Sequence, residues 1–143
     1  MGDIIRMNIQ IHRVGDGHDY RNPFTRLLKA SAYSLHGLAH ALKHEQAFRY
    51  EAATHIMICA LLWVMPFTLW HKALLAAMWL VVMAFELVNS AVEKAFDLID
   101  EKFRPEIKAG KDMLSAAVFL MICANILAWA GSIASTYIFP QAG

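Results

Sequence analysis

Apolar and polar positions divide the chain into one mixed stretch and three nearly unbroken apolar ones. From Phe24 onward, Phe24, Leu27, Leu28, Leu35, Leu38 and Leu42 recur at helical spacing, while Arg26, Lys29, His36, His40 and Lys43 take much of the remaining circumference. This pattern predicts an amphipathic helix over about residues 24–44, suited to lying along a membrane surface. Beyond the charged segment Glu45 to Glu51 come three apolar runs: nineteen residues from Ala52 to Trp70, expected to kink or end near Pro66, twenty from Ala73 to Val92, and a third from Met113 to Phe139. Twenty helical residues cover about 30 Å, one hydrocarbon thickness. The expected architecture is therefore an all-α membrane protein, with spans over about residues 50–70, 73–97 and 112–139.

The connections follow from the same pattern. Only His71 and Lys72 separate the first two runs, which predicts a tight helical hairpin with Phe67 and Trp70 at the aqueous boundary. The charged segment Lys94 to Lys111, with Pro105 and Gly110 as breakers, predicts a loop. Residues 1–23 are polar and read as a flexible arm before a membrane domain over residues 24–143.

Composition agrees with this class, since 58 % of the 143 residues are hydrophobic and 17 % charged, too apolar for an ordinary soluble domain of this size. Thirteen basic and twelve acidic residues nearly cancel, so no global field attracts a polyanion, and nucleic acid is not an expected partner. Cys59 and Cys123 lie inside apolar runs and say little about redox compartment. The first 22 residues lack the apolar core of a signal peptide, so the first span is expected to direct insertion. Seven Lys or Arg precede that span, five lie between Lys94 and Lys111, one is in the hairpin turn and none follows the third span. The positive-inside rule then puts the amino terminus and the long loop in the cytoplasm.

Into the second half of the middle run are set Glu86, Asn89 and Ser90, followed by Glu93 and Asp97. At about 100° per residue these five fall on one stripe of the helix. A carboxylate in the apolar part of a span costs at least about 2.5 kcal/mol, so such residues face a protein interior or a wet cavity and mark function. Poor hydration at that depth makes Glu86 the better general base of the set. Neither G-x-x-x-x-G-K-[ST] nor G-x-G-x-x-G occurs, so the phosphates of any nucleotide must be held by metal ions and scattered cations. Mg²⁺ in phosphate chemistry is held by one or two carboxylates plus phosphates and water, and Glu93 and Glu45 sit at matching depth for that work. Lys111 and Asp112 stand at the same interface, where the lysine can neutralise phosphate charge.

Each of these residues also has an ordinary assignment. Glu86 and Asn89 suit an interhelical hydrogen-bond pair, Glu93 and Asp97 a solvated helix end, Glu45 and Arg49 an exposed i,i+4 ion pair, and Lys111 a positive flank. His36, His40 and His44 are spaced as metal ligands can be, but read more simply as a solvated interfacial face. The Met and Trp residues of the spans read as lipid-facing or packing residues.

FTRLLKASAYS (Phe24 to Ser34), EQAFRYE (Glu45 to Glu51), ELVNSAVEKAFD (Glu86 to Asp97) and KDMLSAAV (Lys111 to Val118) resemble, in order and spacing, the prokaryotic diacylglycerol kinases. The E-x-x-N-S-x-x-E and KD-x-x-SAAV motifs are specific in combination, and the resemblance runs from about Phe24 to Tyr137. It implies an integral-membrane lipid kinase of the cell inner membrane, with a surface helix and three spans per subunit in a homotrimer, phosphorylating diacylglycerol to phosphatidic acid with ATP and Mg²⁺. Carried over by position, Glu86 matches the general base, Glu45 and Glu93 the metal carboxylates, and Asn89 a supporting polar residue. Arg26, Tyr33, Glu45, Glu93, Lys102, Phe103, Arg104, Lys111 and Asp112 match nucleotide-contacting positions. Arg26, Glu86 and Ser115 also match positions near the lipid head, with Ala30, Ser31, Ala32, Tyr33, Ser34 and Leu35, and then Ala47, Phe48, Arg49, Tyr50 and Glu51, along the lipid's path. Leu114 departs from the family, which often has glycine there.

Two other activities suit the same pattern. An undecaprenol kinase of this fold would run the same chemistry on another lipid alcohol. A non-enzymatic oligomeric channel lined by Glu86, Asn89 and Glu93 would have no use for Glu45, Lys111 and Asp112 at one level.

Overall fold

A computed structural model describes residues 22–99 and 104–139. These residues fold into α1 (Pro23–His44), α2 (Gln46–Val64), α3 (Leu69–Ile99) and α4 (Pro105–Ile133), with a closing turn of π-helix over Ala134–Ile138 and no strand among them. Lys102 and Phe103 lie outside the described residues, as does most of the amino-terminal arm.

The chain divides into two units between Leu38 and Ala39. In the first, Asn22 caps α1: its Oδ1 accepts the Phe24 amide at 3.0 Å, and its carbonyl accepts Thr25 Oγ1 at 2.8 Å. Pro23 occupies the first helical position, where its missing N–H costs nothing. The apolar residues Phe24, Leu27, Leu28 and Leu35 are all more than half exposed.

In the second unit α3 packs against both α2 and α4. Its buried residues are Leu75, Val82, Glu86 and Asn89, and those of α4 are Val118, Asn125 and Ser132. Leu75, Val82 and Asn89 follow one another at intervals of seven, and so do Val118, Asn125 and Ser132, the spacing of helices that cross at a shallow angle. The two helices run antiparallel, with Phe96 against Gly110 at one end and His71 Nε2 3.3 Å from Ser135 Oγ at the other. At that second end Leu62, Phe67 and Leu75 form a closed apolar cluster, with Trp129 edge-on to Phe67.

The first span ends near its proline, as the sequence allows, while other boundaries differ from the sequence reading. Helix α2 ends at Val64, because Pro66 excludes helical geometry at Met65, which takes φ −71° and ψ 140°. The break therefore lies at residues 65–68, and His71 and Lys72 belong to the opening turns of α3. At the other end α3 runs on to Ile99 and α4 begins at Pro105, so most of the expected Lys94–Lys111 loop is helix. Gly110 is no breaker: it lies within α4, where a Cβ would stand 3.0 Å from Phe96 Cζ, and glycine lets the two helices close together.

Two segments, Leu69–Ile99 and Pro105–Ile138, are long and apolar enough to cross a membrane, with mean hydropathy 1.8 and 2.1. Only 17 % and 6 % of their most apolar stretches are buried within the chain. A soluble protein does not leave such surfaces to water, so they face lipid or other helices.

Candidate functional site

The buried face of α3 changes character along its length. Leu75 and Val82 are fully buried, and one to two turns further on the same face carries Glu86 and Asn89, which are 8 % and 9 % exposed. Asn89 sits one turn from Glu86 on that face, and its Oδ1 is buried without a partner. The carboxylates of Glu93 on α3, Glu45 ahead of α2 and Glu51 on α2 all lie within electrostatic range of Glu86. Four acidic residues thus stand in the region where α2 and α3 meet.

Their local placement has simple causes. Glu45 is the one non-helical residue between α1 and α2, held extended at φ −101° and ψ 116°. Its carboxylate pairs with the Lys94 ammonium, which donates a hydrogen bond to Oε1. That bond holds the Glu45 carboxyl below the usual carboxylate range, against the opposing effect of desolvation. Arg49, an expected ion-pair partner of Glu45, instead donates from Nη1 to the Lys43 carbonyl at 3.2 Å. Glu51 stands on the inner side of α2 with Oε2 buried and unpartnered, and its backbone carbonyl accepts the Trp79 indole N–H at 2.9 Å. Trp79 is therefore more than the packing residue the sequence suggests.

The remaining candidates lie elsewhere on the helices of both units. Lys111 Nζ donates to Asp97 Oδ1 at 2.5 Å, joining α4 to α3, and Asp112 accepts from Lys108 at 2.6 Å. Ser115 and Arg104 are exposed on and just before α4. On α2, Ala47, Arg49 and Tyr50 are exposed, Glu51 is half-buried, and Phe48 is 1 % exposed and part of the core. In the first unit Arg26, Ala30 and Tyr33 line a shallow groove with Pro23, Leu27 and Lys29, and Ser31, Ala32, Ser34 and Leu35 are exposed on the same helix. Lys94 had signalled itself only as one of several basic residues, and the approach of Glu51 to Glu86 is a contact between helices that no periodicity encodes.

Among the described residues no three His, Cys, Asp or Glu side chains form a ready cage for a metal. The donor set suits a different mode: the hard oxygens of one or two carboxylates, one of them already attracting an ammonium, fit a Mg²⁺ ion that completes its shell with phosphates and water.

Fold and site together define an α-helical membrane protein with an acidic cluster at one end of its bundle. The family model for prokaryotic diacylglycerol kinase matches residues 32–133. The chain is 36 % identical over 107 residues to the diacylglycerol kinase of Haemophilus influenzae, covering 75 % of this chain and 91 % of that one. It is 33 % identical over 106 residues to the diacylglycerol kinase of Escherichia coli K12, with coverage of 74 % and 87 %. With the undecaprenol kinase of Bacillus subtilis it shares 31 % identity over 107 residues, 72 % and 84 % of the two chains. The chain belongs to the prokaryotic diacylglycerol kinase family.

Proposed function

We propose that the protein phosphorylates diacylglycerol to phosphatidic acid with MgATP at the cytoplasmic face of the cell inner membrane. The observation that carries this reading is the burial of Glu86 in a membrane-capable helix, amid Glu45, Glu51 and Glu93, in a chain of this family. The two kinases named for diacylglycerol match at 36 % and 33 %, against 31 % for the one named for undecaprenol, which favours the glycerolipid.

In this reading Glu86 takes the proton of the lipid hydroxyl as its oxygen attacks the γ-phosphorus and ADP departs in line. Asn89 orients that carboxylate. Glu45 and Glu93 hold Mg²⁺, which supplies charge neutralisation for the triphosphate. Lys111 exchanges Asp97 for a phosphate oxygen, with Asp112, Lys102, Phe103 and Arg104 completing the nucleotide's surroundings. Arg26 and Tyr33 also serve the nucleotide. Residues 30–35 and, on α2, Ala47, Arg49, Tyr50 and Glu51, with Ser115, border the lipid, while Phe48 packs in the core behind them. The helix α1 lies along the membrane surface, α2 supplies a third span, and three subunits assemble with amino termini in the cytoplasm.

The test is transfer of labelled phosphate from ATP to diacylglycerol in mixed micelles, with and without Mg²⁺, beside undecaprenol as competing acceptor. Mg²⁺-dependent labelling of diacylglycerol is expected. Preferential labelling of undecaprenol would move the assignment to that alcohol, and ion conduction in liposomes without transfer to either lipid would replace the kinase by a channel.

A further inference from the structure

Glu45, one of the two carboxylates assigned to the metal, already carries a cation. The Lys94 ammonium pairs with Oε1 of Glu45, and the same Nζ lies 3.4 Å from Nε2 of His40. The His40 ring in turn packs on His44, with centroids 4.5 Å apart. Three elements meet here: the last turns of α1 supply the imidazoles, the junction residue supplies the carboxylate and α3 supplies the ammonium. The partners are unequally covered, the Glu45 side chain being 21 % exposed and that of Lys94 51 %. The carboxylate is thus fixed by its place between two helices, while the ammonium stands half in water on a flexible stem. Lysine binds a carboxylate as a point charge, without the two-pronged grip of arginine, and can leave it. Lys94 also directly follows Glu93, the other proposed metal carboxylate.

We propose that Lys94 is a resident counter-cation of the metal subsite: it neutralises Glu45 while no divalent ion is bound and must leave that carboxylate for the ion to bind. This inference rests on the reading of Glu45 and Glu93 as metal carboxylates. Divalent binding is then an exchange of one cation for another. Its affinity is lowered by whatever the Lys94–Glu45 attraction contributes, a modest amount for a pair with one partner in water.

Mn²⁺ binding to the full-length protein in detergent micelles, read from the electron paramagnetic resonance signal of the free ion, tests this without turnover. Lys94→Met is expected to tighten Mn²⁺ binding by about two- to fivefold, the scale of a partly exposed ion pair. Lys94→Arg, which keeps the charge and adds a fork that suits a carboxylate, is expected to weaken it. On a Glu45→Gln background the effect of Lys94→Met is expected to vanish. Equal or weaker binding in Lys94→Met would overturn the proposal, and Lys94→Arg decides it should Lys94→Met not fold. Unchanged Mn²⁺ affinity in both Glu45→Gln and Glu93→Gln would sink the metal reading itself. Loss of affinity in those two variants without a gain in Lys94→Met would sink only the exchange.

Discussion

Trp79 on α3 donates its indole N–H to the backbone carbonyl of Glu51 on α2, 2.9 Å away, two helical turns from Glu86 on the same helix. The bond fastens the helix bearing Glu51 to the helix bearing the buried carboxylate. Trp79→Phe keeps an aromatic ring but removes the donor. A loss of about 0.5–1.5 kcal/mol is expected, the usual worth of one internal hydrogen bond, measurable by SDS-induced unfolding in mixed micelles. A variant as stable as the wild type would mean that α2 and α3 are held by apolar packing alone.

Gly110 faces the ring of Phe96, with Cζ and Cε2 at 3.0 and 3.1 Å from where a Cβ would stand. Gly110→Ala gains about 1 kcal/mol of helix propensity and spends it on shifting that half-buried ring, so a net change within about 0.5 kcal/mol is expected. Gly110→Leu overfills the contact and should cost about 1–3 kcal/mol. Adding Gly110→Ala to Phe96→Ala should stabilise that variant by about 1 kcal/mol, since the obstacle is gone. Unfolding of the four variants side by side checks all three expectations.

Glu45 makes one pH dependence predictable. Its carboxyl is held below the usual value of 4.5 by the hydrogen bond from Lys94. A carboxyl depressed in the folded state stabilises the fold above its unfolded pKa and loses that contribution as pH falls through the folded one. In EDTA, therefore, wild type and Lys94→Met should differ in thermal stability near neutrality and converge once the pH falls below the depressed Glu45 pKa, wild type losing more on acidification. A difference that persists unchanged in acid would show that Lys94 stabilises by packing rather than by charge.

The parts of this molecule that are periodic were legible in its sequence. The run from Ala73 to Val92 marked the core of α3, and the i,i+3,i+7 placement of Glu86, Asn89 and Glu93 put them on one face, two of them buried. The ends of helices were harder to read. Polar residues such as His71, Lys72 and Asp97 extend α3 past its apolar run, and nothing in composition separates a helix leaving the membrane from a loop. Gly110 reads as a breaker until the ring of Phe96 is placed against it. The pairings Lys94 with Glu45, Lys111 with Asp97 and Trp79 with Glu51 join positions 49, 14 and 28 residues apart, so they depend on how helices dock and leave no mark in local pattern.

Glu86 and Glu93 lie two turns apart on α3 yet are assigned different work, and their amide variants should separate it. Glu86→Gln preserves size and hydrogen-bonding capacity but cannot accept a proton. It should retain assembly and nucleotide binding while losing about 10²-fold or more in kcat, the usual worth of a positioned general base. Glu93→Gln removes a negative charge from the proposed metal carboxylates, so its main effect should be a raised KM for MgATP that excess Mg²⁺ partly restores. Initial rates in mixed micelles across ATP and Mg²⁺ concentrations, with gel filtration to follow assembly, give both parameters. Unimpaired turnover in Glu86→Gln would remove the base assignment, since a carboxylate kept only to pack α3 against its neighbours tolerates the amide.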